Sequence, residues 1–159
     1  MTPSYLSIIL LLGFYLQNSP TKKYYKSYYE NGTLKEEGWK IGSKKTDFWH
    51  FYTPDGTVKE EGHFKNNKKH GYWYFYNNKN QIVKEGHFVN DKAEKWWIIY
   101  DIATQIIKKY QYKNNKKEGF CLIYKRNRLF KAERYIDNKK TGEWTDVFSF
   151  KKDNPNASL

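Results

Sequence analysis

A tyrosine returns every 24 residues, at Tyr28, Tyr52, Tyr76, Tyr100 and Tyr124, and a tryptophan keeps the same step at Trp49, Trp73 and Trp97. Self-similarity at a period of roughly 20 to 50 residues marks a stacked array, in which each unit buries its apolar face only against its neighbours. The clearest copy runs from Gly62 to Tyr76, and about five copies lie between residues 24 and 148. Any motif in this chain has to be read inside that repeat.

Each unit carries the signals of two short strands. After a turn at Asp55-Gly56, Val58, Glu60, Gly62 and Phe64 fall on one face of a strand, and Thr57, Lys59, Glu61 and His63 on the other. Asn66-Asn67 then turns the chain into the aromatic stretch Tyr72 to Tyr76. Asn31-Gly32 and Asp55-Gly56 read as short hairpin turns, because the turn that matches strand twist needs positive φ. No segment shows a helical period. The expected fold is all-β: an elongated single-layer antiparallel β-meander of about five 24-residue hairpin units.

Copies compared with one another predict a contact. Trp49, Trp73 and Trp97 occur in units that have Gly38, Gly62 and Gly86 on the preceding strand. The fourth unit has Tyr110 at the glycine position and Cys121 at the tryptophan position, so large and small have exchanged places. An indole lying over a strand glycine explains the exchange. The fifth unit, with Glu133 and Trp144, departs from it and is one residue shorter, the missing residue falling in the turn between Lys125 and Arg128. Trp144 is nevertheless assigned to the same column.

Outside the array, Tyr5 to Leu16 is the one strongly aliphatic run. At 12 residues it is too short to span a bilayer and suits the hydrophobic part of a secretory signal. Residues 1–21 are therefore expected to direct export or attachment to the cell envelope; the alternative is a cytoplasmic protein in which this segment covers the end of the array. The array itself is placed at residues 22–150, and residues 151–159 are expected to be a disordered tail.

At this point the residues resemble a known family. Tyr28 to Gly38 and Gly62 to Tyr76 are similar to the bacterial variant of the MORN repeat, the unit of YwqK-type antitoxin proteins and of many exported repeat proteins. The resemblance implies a curved sheet of hairpins and a non-enzymatic binding role, with another protein as partner and toxin neutralisation or envelope scaffolding as the expected use; toxin neutralisation is a role proposed for some members of that family. Eukaryotic MORN arrays are linked to tethering at anionic membranes, which is the alternative. Gly38-Trp39 followed by Trp49 is also similar to the choline-binding repeats of cell-wall proteins, but their units are shorter, and here the Gly-Trp pair occurs once.

The 159 residues carry a formal net charge of +12, with 29 Lys and Arg against 17 Asp and Glu, which favours anionic partners. Lys44 and Lys45, Lys68 and Lys69, Lys92, Lys116 and Lys117, and Lys139 and Lys140 occupy one turn of successive units. At two strands per unit they form a column with a spacing of about 10 Å. Arg126 and Arg128 lie in the most basic segment, Gln105 to Lys131, and complete the candidate binding set. Gly38, Gly62, Gly86, Trp49, Trp73, Trp97 and Trp144 are read as structural.

Basic and aromatic residues interleave as in single-strand nucleic-acid binders, but packing within the sheet accounts for most rings, which disfavours that partner. The single Cys121 rules out an intrachain disulfide and a cysteine-based zinc site. His63 and His87 are one unit apart, too distant to share a metal ion. No nucleophile, base and orienter fall together, so neither a cofactor nor catalysis is expected.

Overall fold

The computed structural model describes residues 20–157. The export segment therefore lies outside the described residues up to residue 19. Eleven strands follow in chain order: β1 Lys22–Tyr28, β2 Leu34–Ile41, β3 Lys44–Tyr52, β4 Val58–Lys65, β5 Lys68–Tyr76, β6 Ile82–Val89, β7 Lys92–Asp101, β8 Ile106–Lys113, β9 Lys116–Lys125, β10 Arg128–Ile136 and β11 Lys139–Trp144. They form one open sheet in which each strand pairs antiparallel with the next. The all-β meander inferred from the repeat is the observed fold.

Register explains how a single layer acquires a core. Gly38, Trp49, Gly62, Trp73, Gly86, Trp97, Tyr110, Cys121 and Glu133 are successive Cα partners from β2 to β10. Trp49 and Trp73 are completely buried and Trp97 almost so. Each indole lies over the glycine before it: a Cβ on Gly38 or Gly62 would come to 2.5 Å from Cγ of Trp49 or Trp73. Each ring nitrogen donates to a carbonyl ten residues back, Trp49 to Trp39, Trp73 to His63 and Trp97 to His87, at 3.0, 3.0 and 3.1 Å. The polar edge of a buried indole is thereby satisfied. Phe51, Phe64, Phe75 and Phe88 fill the gaps between the indoles, with ring centroids 4.9 to 6.1 Å from the nearest tryptophan.

A bulge makes this geometry possible. Between β4 and β5, Gly62 faces Trp73 and Phe64 faces Lys69, so β5 holds two residues more than β4 over that interval. The same excess of two occurs in β3, β7 and β9. Each of these bulges contains one residue with positive φ at the equivalent place: Asp47, Gly71, Lys95 and Gly119. Extra residues of this kind bend a strand and re-aim its side chains.

The hairpin ends differ from one another. Asn66-Asn67, Asn90-Asp91, Asn114-Asn115, Arg126-Asn127 and Asp137-Asn138 are two-residue turns with positive φ at both positions, the type that follows strand twist. Asn31-Gly32 and Asp55-Gly56, read from sequence as short hairpins, instead sit in longer loops where only the glycine has positive φ. There Gly32 N–H donates to Tyr29 O, and Gly56 N–H to Thr53 O.

Two expectations for the C-terminal end are corrected. Between β10 and β11 only Thr141 is in excess, since Arg134 faces Gly142 and Tyr135 faces Lys140. Gly142, the counterpart of Gly71 and Gly119, lacks their positive φ. A shift of one residue turns a strand over, so Trp144 pairs with Ala132 and projects from the face opposite Trp49, Trp73 and Trp97. It is not a member of their column.

The expected disordered tail from Lys151 is also replaced. Helix α1, Val147–Asp153, is capped by the Asp146 carboxylate, which accepts from Ser149 N–H at 2.8 Å. Its Phe150 is buried with Leu122 and Ala132, against Phe120 and Trp144. Trp144 Nε1 donates to Asp153 at 2.8 Å. The helix covers apolar side chains that would otherwise face water.

Candidate binding surfaces

The lysine column divides into two rows. Lys44, Lys68, Lys92, Lys116 and Lys139 open their strands and are exposed along one edge of the sheet. Lys116 pairs with Asp137 at 2.5 Å. Lys44, Lys68, Lys92 and Lys139 form no ion pair among the described residues.

The second row is part of the sheet's own packing. Lys45 pairs with Glu36, and its ammonium stands 4.2 Å from the Trp49 ring centre. Lys69 lies 2.7 Å from Glu60 and 4.0 Å from the Trp73 ring, and Lys117 is 3.9 Å from the Tyr110 ring. A cation over an aromatic face is attracted by the ring quadrupole, so these lysines lid the indole face. Lys140 is held 2.6 Å from Glu143. Lys45, Lys69 and Lys140 are therefore ion-paired rather than free, while Lys117, which forms no ion pair among the described residues, rests on the Tyr110 ring.

Arg126 and Arg128 are placed elsewhere. Their turn joins β9 to β10, whereas the lysine turns join β2 to β3, β4 to β5, β6 to β7, β8 to β9 and β10 to β11. In a meander these are opposite edges, separated by a strand length of about 25 to 30 Å. One ridge cannot hold both groups.

What fixes the lysine edge is a backbone clamp that sequence reading missed. Asn67 N–H donates to Lys45 O, and the Asn67 side chain accepts from Lys45 N–H at 2.6 Å. Asp91 does the same for Lys69, Asn115 for Ala93 and Asn138 for Lys117. Each turn is thus stitched to the unit before it. The signal was present in the recurrence of Asn or Asp as the second turn residue.

The face opposite the indoles is wetter and carries its own repeat. Tyr24, Phe48, Tyr72, Trp96 and Phe120 recur at the 24-residue step; Tyr24 and Trp96 are exposed, and the others half-buried. Tyr24 meets Trp39, Phe48 meets His63 and Tyr72 meets His87, edge to face at 5.1, 4.9 and 4.9 Å. Alongside, Tyr52, Tyr76 and Tyr100 donate to Glu37, Glu61 and Glu85 at 2.8, 2.7 and 2.5 Å. Burial, and then these bonds to carboxylates, hold the three phenols well above the ordinary tyrosine range. Burial works against ionisation of Glu37, but bonds from Tyr52, Lys26 and Tyr24 outweigh it and keep that carboxyl below its usual range.

Charge on the indole face changes along a single register row. Glu36, Phe51, Glu60, Phe75, Lys84, Ile99, Lys108, Ile123 and Lys131 are successive partners. The two glutamates are neutralised by Lys45 and Lys69, and Lys131 by Glu133 and Glu143. Lys84 rests 4.3 Å from the Phe75 ring, and burial followed by the charge of Lys69 lowers its pKa.

These surfaces define an open β-repeat module with one lidded and one wet aromatic face. In comparisons with known proteins, no family model and no curated relative matches the chain.

Proposed function

We propose that this chain is a non-enzymatic MORN-type repeat module that binds another protein through its wet aromatic face and the lysine edge of Lys44, Lys68, Lys92, Lys116 and Lys139. The observation that carries this reading is the aromatic row of Tyr24, Phe48, Tyr72 and Trp96. It recurs once per unit on a face that α1 covers only at the C-terminal end. Aromatic side chains that are partly exposed, rigid and tipped with polar atoms are the residues on which interfaces concentrate their binding energy. The lysine edge adds long-range attraction for an acidic partner. Toxin neutralisation and envelope scaffolding are the roles that the resemblance suggests for such binding.

The test is quantitative capture of partners from native lysate by the immobilised protein, set beside a Tyr72→Ser, Trp96→Ser variant. The expected result is a reproducible partner whose yield drops with the variant. No reproducible partner, or equal capture by the variant, would overturn the reading.

A second reading, tethering to anionic membranes, is favoured by the exposed lysine row. It requires sedimentation with anionic but not neutral liposomes, falling steeply with salt. Equal behaviour of the two liposome types would eliminate it.

A further inference from the structure

At the C-terminal end a cleft opens between β10 and α1; Leu129, Phe130, Ala132, Trp144, Val147 and Phe150 form its apolar lining, and Lys131, Thr145 and Asp146 its polar one. Leu129 and Phe130 also line an adjoining hollow with Lys125, Arg126 and Arg128. Phe130 sits there because of a bulge: Leu129 faces Tyr124 and Lys131 faces Ile123, leaving Phe130 opposite no residue of β9. It is 54% exposed, and Val147 across the cleft 57%. A bulge that turns a phenylalanine toward water is a feature to explain rather than a defect.

The adjoining hollow is cationic, while the cleft wall itself holds one carboxylate, Asp146. Lys125, Arg126 and Arg128 form no ion pair among the described residues, while the nearby carboxylates are engaged elsewhere: Glu133 with Lys131, Glu143 with Lys140, and Asp146 as the cap of α1. An apolar slot beside three free cations is complementary in charge to an acidic chain that also carries an apolar side chain. A concave slot with β10 on one side and α1 on the other suits an inserted side chain better than a flat bilayer. Phe148, the most exposed large apolar residue at 82%, is not among the lining residues.

We infer that this cleft docks an extended acidic peptide segment of a partner protein, an apolar side chain entering between Phe130 and Val147 while its carboxylates pair with Arg126 and Arg128. This surface lies at the C-terminal end of the same sheet face, beyond the row of Tyr24, Phe48, Tyr72 and Trp96, and the proposal stands without that row.

The probe is a fluorescein-labelled octapeptide of alternating glutamate and leucine, read by fluorescence anisotropy on the full chain. Two control peptides replace glutamate by lysine, or leucine by serine. Saturable binding is expected for the first peptide and not for the controls, weakening as salt rises. The double variant Arg126→Asn, Arg128→Gln should lose affinity by about tenfold; Asn suits the positive φ of position 126, so the turn is kept. Trp96→Ser, in the aromatic row, should bind the peptide as well as the parent chain does. The proposal is overturned by no saturable binding, by equal binding of the lysine peptide, or by unchanged affinity in the double variant. Phosphatidylserine vesicles that bind the chain in a Phe130-dependent way while the peptide does not would assign the cleft to membrane and equally overturn it.

Discussion

Gly62 lies directly beneath Trp73, and a single added methyl group at Gly62 would stand 2.5 Å from Cγ of the indole. No rotation of a buried ring that also donates to His63 O relieves that overlap. Gly62→Ala should therefore destabilise the array by about 1 to 3 kcal/mol through overpacking. Thermal unfolding followed by tryptophan fluorescence checks this, and an unchanged midpoint would refute the contact. Lys68→Ala in the same hairpin should change stability by no more than about 0.5 kcal/mol. Lys69→Ala, which uncovers Trp73 and leaves Glu60 unpaired, should cost about 1 to 2 kcal/mol.

The turn clamp predicts a different pattern of tolerance. Asn115→Gly keeps the positive φ but removes the acceptor for Ala93 N–H, so it should cost about 0.5 to 1.5 kcal/mol. Asn115→Asp should be tolerated, because Asp91 already serves the neighbouring unit in this way. Denaturant midpoints that fail to separate the two substitutions would show the clamp to be energetically idle.

Alkaline pH should unfold the array through its phenols. Tyr52, Tyr76 and Tyr100 have pKa values raised above the ordinary 10.0, and burial followed by the charge of Glu85 pushes Tyr72 up to about 12. Above about pH 10 the unfolded chain has released protons that the folded chain retains, so the unfolded state binds fewer and stability falls with rising pH. This contribution is complete below about pH 10 and disappears as pH climbs through the folded values. Unfolding free energy measured from pH 8 to 12, with tyrosinate absorbance alongside, should show the loss. A flat profile would remove the phenol–carboxylate row as a source of stability.

The fold was legible in the sequence because the period runs through the units and the Gly–Trp contact recurs in three of them, with large and small exchanged at Tyr110 and Cys121 in a fourth. Averaging over copies exposes them. What was not legible occurs once, or depends on how many residues a bulge holds. Trp144 matches its column by spacing, yet one residue fewer in the bulge turns it over, and spacing alone does not record how many residues a bulge takes up. Helix α1 has too few residues for a period to show, and it forms because Phe150 finds Leu122 and Ala132 on the sheet. The lysines misled for a related reason. Lys68 and Lys69 look alike in a turn, but neighbouring strand positions face opposite ways, and only the second reaches the indole.

The shortened bulge before Trp144 also changes what the last strand presents. A perfect repeat has no reason to end: every terminal unit presents the surface on which the next could crystallise, within one chain or from another molecule. By inverting its last strand and laying α1 across the inverted side, this chain gives β11 a face unlike that of β3, β5, β7 and β9. One bulge residue thus decides whether the last strand repeats its predecessors or differs from them.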